Sequence, residues 1–186
     1  MELTPIAKKI SLVTMFIYLM QSFIDLSIFA LHSDPDMFRG YQLITHMLLH
    51  QNLAHIVSNL LLFIIVAPVV ENYLNSDIKF LQIYLYSGMI GGIAQMITSN
   101  GISIGASGAI YGILGACVFM NPKYYIKIFR IRISILIISI LMIIPELISC
   151  IDQTNDGVGH FAHIGGLMTG IIFYFFNRNK NTNFVK

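Results

Sequence analysis

Residues 105–120 read Gly105-Ala106-Ser107-Gly108-Ala109-Ile110-Tyr111-Gly112-Ile113-Leu114-Gly115-Ala116-Cys117-Val118-Phe119-Met120. The run carries no charge, and Gly108, Gly112 and Gly115 fall on one helical stripe. Small stripes let helices in lipid approach closely. The run therefore reads as a short membrane helix packed against others, and it opens on a serine. A second apolar run opens on Ala162-His163-Ile164-Gly165-Gly166, with Gly170 one turn further on. His163, Gly166 and Gly170 again share one stripe. Polar side chains in lipid are costly and are usually kept for function. A serine beside one such stripe and a histidine on the other predict an activated nucleophile, hence hydrolysis within the membrane.

The whole chain supports a lipid setting. Its 186 residues are 56% hydrophobic and 11% charged, with a mean hydropathy of +0.75. Soluble domains carry about 25% charged residues. The apolar excess comes in long runs, which predict six spans at about 10–31, 53–70, 80–98, 106–120, 133–149 and 159–176. Each approaches the about 20 residues a bilayer needs, except the fourth. The runs lack the alternation of a barrel strand, so the expected fold is an all-α six-helix membrane bundle. Residues 1–186 form one polytopic domain with its core at about 10–177. The apolar run after Lys8 and Lys9 has no small-residue cleavage site, so the start does not read as a cleavable signal. Cys117 and Cys150 both lie in apolar runs and read as buried small hydrophobes, without a disulfide.

Orientation follows from the basic residues. If the spans alternate, Lys8, Lys9, Lys79, Lys123, Lys127, Arg130, Arg132, Arg178, Lys180 and Lys186 share one side. The other side holds Arg39 with Asp34, Asp36, Asp152 and Asp156. Both termini are therefore expected in the cytoplasm. No basic stretch resembles a nucleic-acid site. The first outer loop, about 32–52, mixes apolar residues with His46, His50 and Gln51; it reads equally as an interfacial segment or an ordinary structured loop. The last residues read as a short frayed tail.

Helix rise converts sequence position into depth. Counted from the inner ends of their spans, Ser107, His55 and Gln95 lie ~24 Å up, and His163 ~22 Å up. Four polar groups from four helices thus share one layer toward the outer side. The uncharged loop 99–105 must dip into the membrane to reach it. Close contact of spans four and six brings Ser107 and His163 together, and Tyr111, one turn below Ser107, can pack on the imidazole. Asn59 lies one turn from His55 on the same face. The imidazole would accept the serine proton, and His55, Asn59 and the first N–H groups of span four would stabilise the oxyanion. None of Asp25, Glu71 and Glu146 matches the layer by counting, so a Ser107–His163 dyad is expected rather than a triad. Each residue also has an ordinary fate. A serine before a helix usually caps it. A buried histidine can bond a neighbouring helix, and His55 with Asn59 can be a structural pair. His50 and His55 are five residues apart with no acid or cysteine beside them, so no metal and no cofactor is expected.

These residues resemble the rhomboid family of intramembrane serine proteases, from about Phe38 to Gly170. Gly105-Ala106-Ser107-Gly108 looks like its Gly-x-Ser-Gly nucleophile motif, and Ala162-His163 followed by Gly166 and Gly170 looks like its histidine motif. His55-x-x-x-Asn59 resembles its second-helix pair, and Tyr111 falls where the family has a tyrosine beneath the histidine. One departure is Phe38-Arg39 where the family often has Trp-Arg. The resemblance implies a six-helix core open to the extracytoplasmic side of a cell membrane. It implies Ser107 as nucleophile, His163 as base and acid, and His55 and Asn59 as oxyanion stabilisers. Gln95 would help hold the catalytic water. The fifth span and the loop 151–159 would form gate and cap. The implied substrates are single-span membrane proteins whose helices unwind near small residues; no oligomeric state follows. Two rival functions stand beside this one. A catalytically silent rhomboid-like protein would bind clients, but such relatives typically lack the serine or the histidine. A small transporter would use His163, His55 and Gln95 as a polar path, but no inverted repeat is visible.

Overall fold

Backbone groups in lipid must find partners within their own segment, which favours helices. The computed structural model describes residues 4–128, 130–154 and 156–178, and most of them are helical. The tail with Lys180 and Lys186 lies outside the described residues. The elements are α1 (Pro5–Met20), β1 (Leu31–His32), α2 (Gln42–Thr45), α3 (Leu53–Leu74), α4 (Asp77–Thr98), β2 (Ile102–Ser103), α5 (Ser107–Met120), β3 (Tyr125–Ile128), β4 (Ile131–Ser134), α6 (Ile135–Asp152) and α7 (His160–Asn177). By length and composition α3, α4 and α6 are apolar enough to cross a membrane. Among the described residues, α1, α3, α4, α5, α6 and α7 overlie the expected apolar runs in order.

Helix ends shift by up to five residues from expectation, and two differences are larger in kind. The first apolar run was expected to be helical over 10–31, but α1 ends at Met20. Asp25 accepts a hydrogen bond from Ser27 N–H at 2.9 Å, a local turn that competes with the helix. The Gln21 side chain also leaves the helix to pair with the His50 backbone, accepting from N–H at 3.0 Å and donating to O at 3.2 Å. The second difference is that the fold is not purely helical. β3 and β4 form a hairpin that takes Ile133 and Ser134 from the expected fifth span, and β1 pairs with β2.

The helix α5 is the hub. Eleven of its fourteen residues are buried, and it packs against α3, α4 and α7. Its contact with α7 is backbone on backbone. A Cβ on Gly166 would overlap Gly108 O, and one on Gly170 would overlap Gly112 O. A Cβ on Gly108 would meet Ala162 O at 3.2 Å. The glycine stripes thus pack as their spacing predicts. Cys117 is buried in this core and Cys150 is half-buried; both are free thiols.

A second fixed point lies at the far end of α3. Buried Glu71 accepts from Ile6 N–H and Ala7 N–H, each at 3.0 Å, and from Thr4 Oγ1. These are the first, otherwise orphaned N–H groups of α1, so one carboxylate caps a neighbouring helix. By contrast α6 is peripheral. It buries only Ile135, Ser139 and Glu146, while Ile137, Ile140, Leu141, Leu147 and Ile148 face outward.

Because the overlap at Gly170 is with backbone, a side chain there has nowhere to go. Gly170→Ala is expected to lower thermal stability in detergent by an overpacking cost of about 1–3 kcal/mol. Gly40→Ala, where nothing lies within 4 Å, is expected to be neutral. Equal melting temperatures for the two variants would refute the backbone contact.

Candidate active site

The loop before α5 is fixed from two sides. β2 pairs with β1 in the register Leu31↔Ser103 and His32↔Ile102, and Gly105 N–H donates to His46 O at 2.9 Å. Gly105 has φ 122, a left-handed conformation open to glycine. A Cβ there would also strike His55, 2.8 Å from both Cε1 and Nε2. The loop therefore turns into α5 against the His55 ring, and Ser107 becomes the first residue of the helix. The ordinary fate of a capping serine does not apply, since Ala106 holds the cap position and no side chain caps it. Ser107 is half-buried.

On α7, His163 is buried and stacks on Tyr111, with ring centroids 4.3 Å apart and planes at 3°. The two residues that flank the α5–α7 contact are Ser107, beside Gly108, and His163, beside Ala162. No hydrogen bond joins Ser107 to His163 among the described residues. Such bonds are often long or poorly aligned until substrate binds.

The other expected residues gather at the same end. Asn52 caps α3 by accepting from His55 N–H at 2.9 Å, and the His55 ring accepts from Gln51 N–H at 3.4 Å. Asn59 is buried, its Nδ2 would lie 3.8 Å from a Cβ on Gly105, and that amide has no acceptor among the described residues. A buried donor without a partner is costly, and here it faces the turn that delivers Ser107. Gln95 accepts from Ala162 N–H at 3.2 Å and donates to Ser99 Oγ at 2.8 Å. It thereby ties the end of α4 to the first turn of α7.

The first outer loop is structured and packed, with Gln42, His46, Met47, Leu49 and His50 buried. It keeps Met37, Tyr41 and Ile44 exposed. His46 Nδ1 lies 2.7 Å from Gln42 O. The His50 ring meets His55 edge-on at 5.0 Å, and neither of its nitrogens has a partner among the described residues. Burial, and then the neighbouring His55, push the His50 imidazole down to about 4.

One expectation is overturned. Glu146 was excluded from the polar layer by counting, yet its Oε2 lies 2.9 Å from His163 Nδ1 and 2.6 Å from His160 Nδ1. Its Oε1 accepts from Tyr111 OH at 2.8 Å. A count of Cα positions leaves out the reach of a long side chain. His160 was not singled out at all, although His160 and His163 stand one turn apart on one helix face. An acid inside an apolar run was itself the signal. His160 Nε2 also lies 3.1 Å from Asp156 Oδ1 in the loop before α7.

The chain also resembles known proteins. Residues 37–180 match the family model of the Rhomboid domain. The chain is similar to the rhomboid protease GluP of Bacillus subtilis, at 38% identity over 133 residues, which are 70% of this chain and 24% of that protein. It is similar to RHOMBOID-like protein 4 of Arabidopsis thaliana, at 33% over 145 residues, 73% of this chain and 34% of that one. It is also similar to the rhomboid protease GlpG of Haemophilus influenzae, at 29% over 143 residues, 77% of this chain and 72% of that one. The chain spans about a quarter of the length of GluP and about a third of RHOMBOID-like protein 4.

The depressed His50 sets a pH dependence. Its ordinary value is 6.5, so between about pH 6.5 and 4 the unfolded chain takes up a proton that the folded chain refuses. Stability is fully present above that window, falls as pH drops through it, and levels off below. Burial lowers the His46 imidazole in the same way, so thermal melting from pH 7 to 4 should show this fall and His50→Gln should reduce its slope. A slope unchanged in the variant would refute the assignment.

Proposed function

Because the chain belongs to the rhomboid family and is an integral membrane protein, we propose that it is a serine endopeptidase that cleaves membrane proteins within the bilayer. Six helices span a cell membrane as one polytopic domain, with both termini in the cytoplasm. The active site opens on the extracytoplasmic side, toward which the loops of His55, Ser107 and His163 all point in the alternating arrangement. The substrates are single-span transmembrane proteins.

In this mechanism Ser107 Oγ attacks the scissile carbonyl, and His163 takes the hydroxyl proton as the C–O bond forms. The tetrahedral oxyanion is held by Asn59 Nδ2, the His55 ring and the backbone N–H groups that open α5, where the helix dipole adds positive potential. His163 then returns the proton to the leaving amine and leaves an acyl-enzyme on Ser107. Water, activated by the same imidazole, releases the second product. The observation that carries this proposal is the buried, partnerless Asn59 amide beside Gly105. A donor kept free of acceptors in an apolar core is explained by a charge that develops only during reaction. The His163–Tyr111 stack supports it by holding the imidazole at the α5–α7 contact.

A fluorophosphonate probe is expected to label the purified protein, and Ser107→Ala to remove the label. His163→Ala is expected to abolish cleavage of a transmembrane peptide. Asn59→Ala should lower turnover by about 10²–10³-fold with the probe site intact. Labelling that survives Ser107→Ala would overturn the nucleophile.

A further inference from the structure

We infer that Glu146 is the positioning carboxylate of His163, so that this chain works as Ser107–His163–Glu146 rather than as a dyad. The catalytic meaning rests on the proposed serine chemistry; the contact itself does not. Glu146 is 8% exposed and sits on the buried stripe of α6. His163 Nδ1 is buried and lies 2.9 Å from Glu146 Oε2, at ion-pair distance but off hydrogen-bond alignment, and no other group among the described residues partners it. Glu146 Oε1 holds the hydroxyl of Tyr111, whose ring stacks on the imidazole. The same carboxylate therefore fixes the edge of His163 and the ring that supports its face. His160 is the remaining anchor, with Nδ1 2.6 Å from Glu146 and Nε2 3.1 Å from Asp156.

A carboxylate at Nδ1 selects the tautomer that carries its proton there. Nε2 then keeps the lone pair that receives the Ser107 proton. When the Ser107 O–H bond breaks, that proton moves to Nε2 and the oxygen bonds the substrate carbonyl carbon. The imidazolium so formed faces the Glu146 charge, and the proton leaves again on the departing amine. Glu146 stays a carboxylate throughout. A metal is the competing use of Glu146, His160 and His163, whose ligand atoms lie within 4.8 Å of one another. However, a nitrogen and a carboxylate oxygen bound to one tetrahedral zinc keep about 3.3 Å between them, and the nitrogen–oxygen separations of 2.6 and 2.9 Å are those of hydrogen bonds and ion pairs.

The test compares wild type with Glu146→Gln and Glu146→Asp in detergent. It reads the probe labelling rate, kcat and KM on a transmembrane peptide, thermal melting, and the histidine ¹⁵N shifts. Glu146→Gln keeps the shape and the acceptor for Tyr111 but offers an N–H to Nδ1, which turns the lone pair of Nε2 into an N–H. It should lose about 10²–10⁴-fold in kcat with KM within about threefold, and move the His163 proton from Nδ1 to Nε2. Glu146→Asp keeps the charge and should retain at least about tenfold more activity than Glu146→Gln. A packing role predicts the reverse order, because glutamine fills the site and aspartate does not. That order, wild-type kcat in Glu146→Gln, or one equivalent of added Zn²⁺ retained through gel filtration only when Glu146 is present would each overturn the inference. If the probe fails to label wild type, the serine mechanism falls, and the ¹⁵N shifts still decide whether Glu146 sets the tautomer.

Discussion

The fold depends on the absence of side chains where α5 meets α7. Gly108 and Gly112 present their carbonyl oxygens to Gly166 and Gly170, and a Cβ on either of the latter would overlap them. Without a hydrophobic drive between helices in lipid, such contact supplies the dispersion that side chains supply elsewhere. It also does something that bulkier packing would not. Two first turns, one carrying Ser107 and the other His163, are drawn to the distance of a backbone contact. The small residues thus set both the helix contact and the placing of Ser107 and His163 through the same approach. Gly91 extends this closeness to α4, since a Cβ there would meet Ala162 O at 2.6 Å.

Two buried carboxylates show how differently a charge in an apolar core is used. Glu71 is satisfied by two backbone N–H groups and a hydroxyl at the start of α1. Those donors belong to a helix end, so the charge fixes one helix against another. Glu146 faces Tyr111, His160 and His163. Its partners are side chains, two of them imidazoles that can hold or move a proton. Both acids avoid the cost of an unpaired buried charge, but only the second is set among side chains that can exchange a proton.

Much of this was legible in the sequence, for reasons that can be located. Glycine and polar residues at helical spacing carry face and depth together, so the Gly108–Gly112–Gly115 and His163–Gly166–Gly170 stripes, the Tyr111 stack and the gathering of His55, Asn59 and Gln95 could be read from periodicity and rise. What escaped depends on side-chain reach and on local competition. The end of α1 at Met20 turns on an Asp25–Ser27 bond and a Gln21–His50 clamp, the latter between residues 29 apart in sequence. The β3–β4 hairpin lies in a stretch where basic residues alternate with isoleucine, a pattern the apolar run beside it concealed. Glu146 escapes such a reading because a ladder of Cα heights assigns a long side chain to the wrong level.

The position of Glu146 has a mechanical consequence. Its helix is the least embedded of the long helices that reach the site, burying only three of its residues and turning an isoleucine- and leucine-rich face outward. Polar contact compensates for what apolar contact does not provide: Glu146 ties α6 to α5 through Tyr111 and to α7 through both histidines. An outward displacement of α6 would remove the carboxylate from His163 and the hydrogen bond from Tyr111 at the same time. The orientation of the imidazole is thus coupled to whether α6 is seated, through one residue and without any relay. A helix tied to its neighbours through the carboxylate that touches His163 cannot move freely and leave that imidazole unchanged.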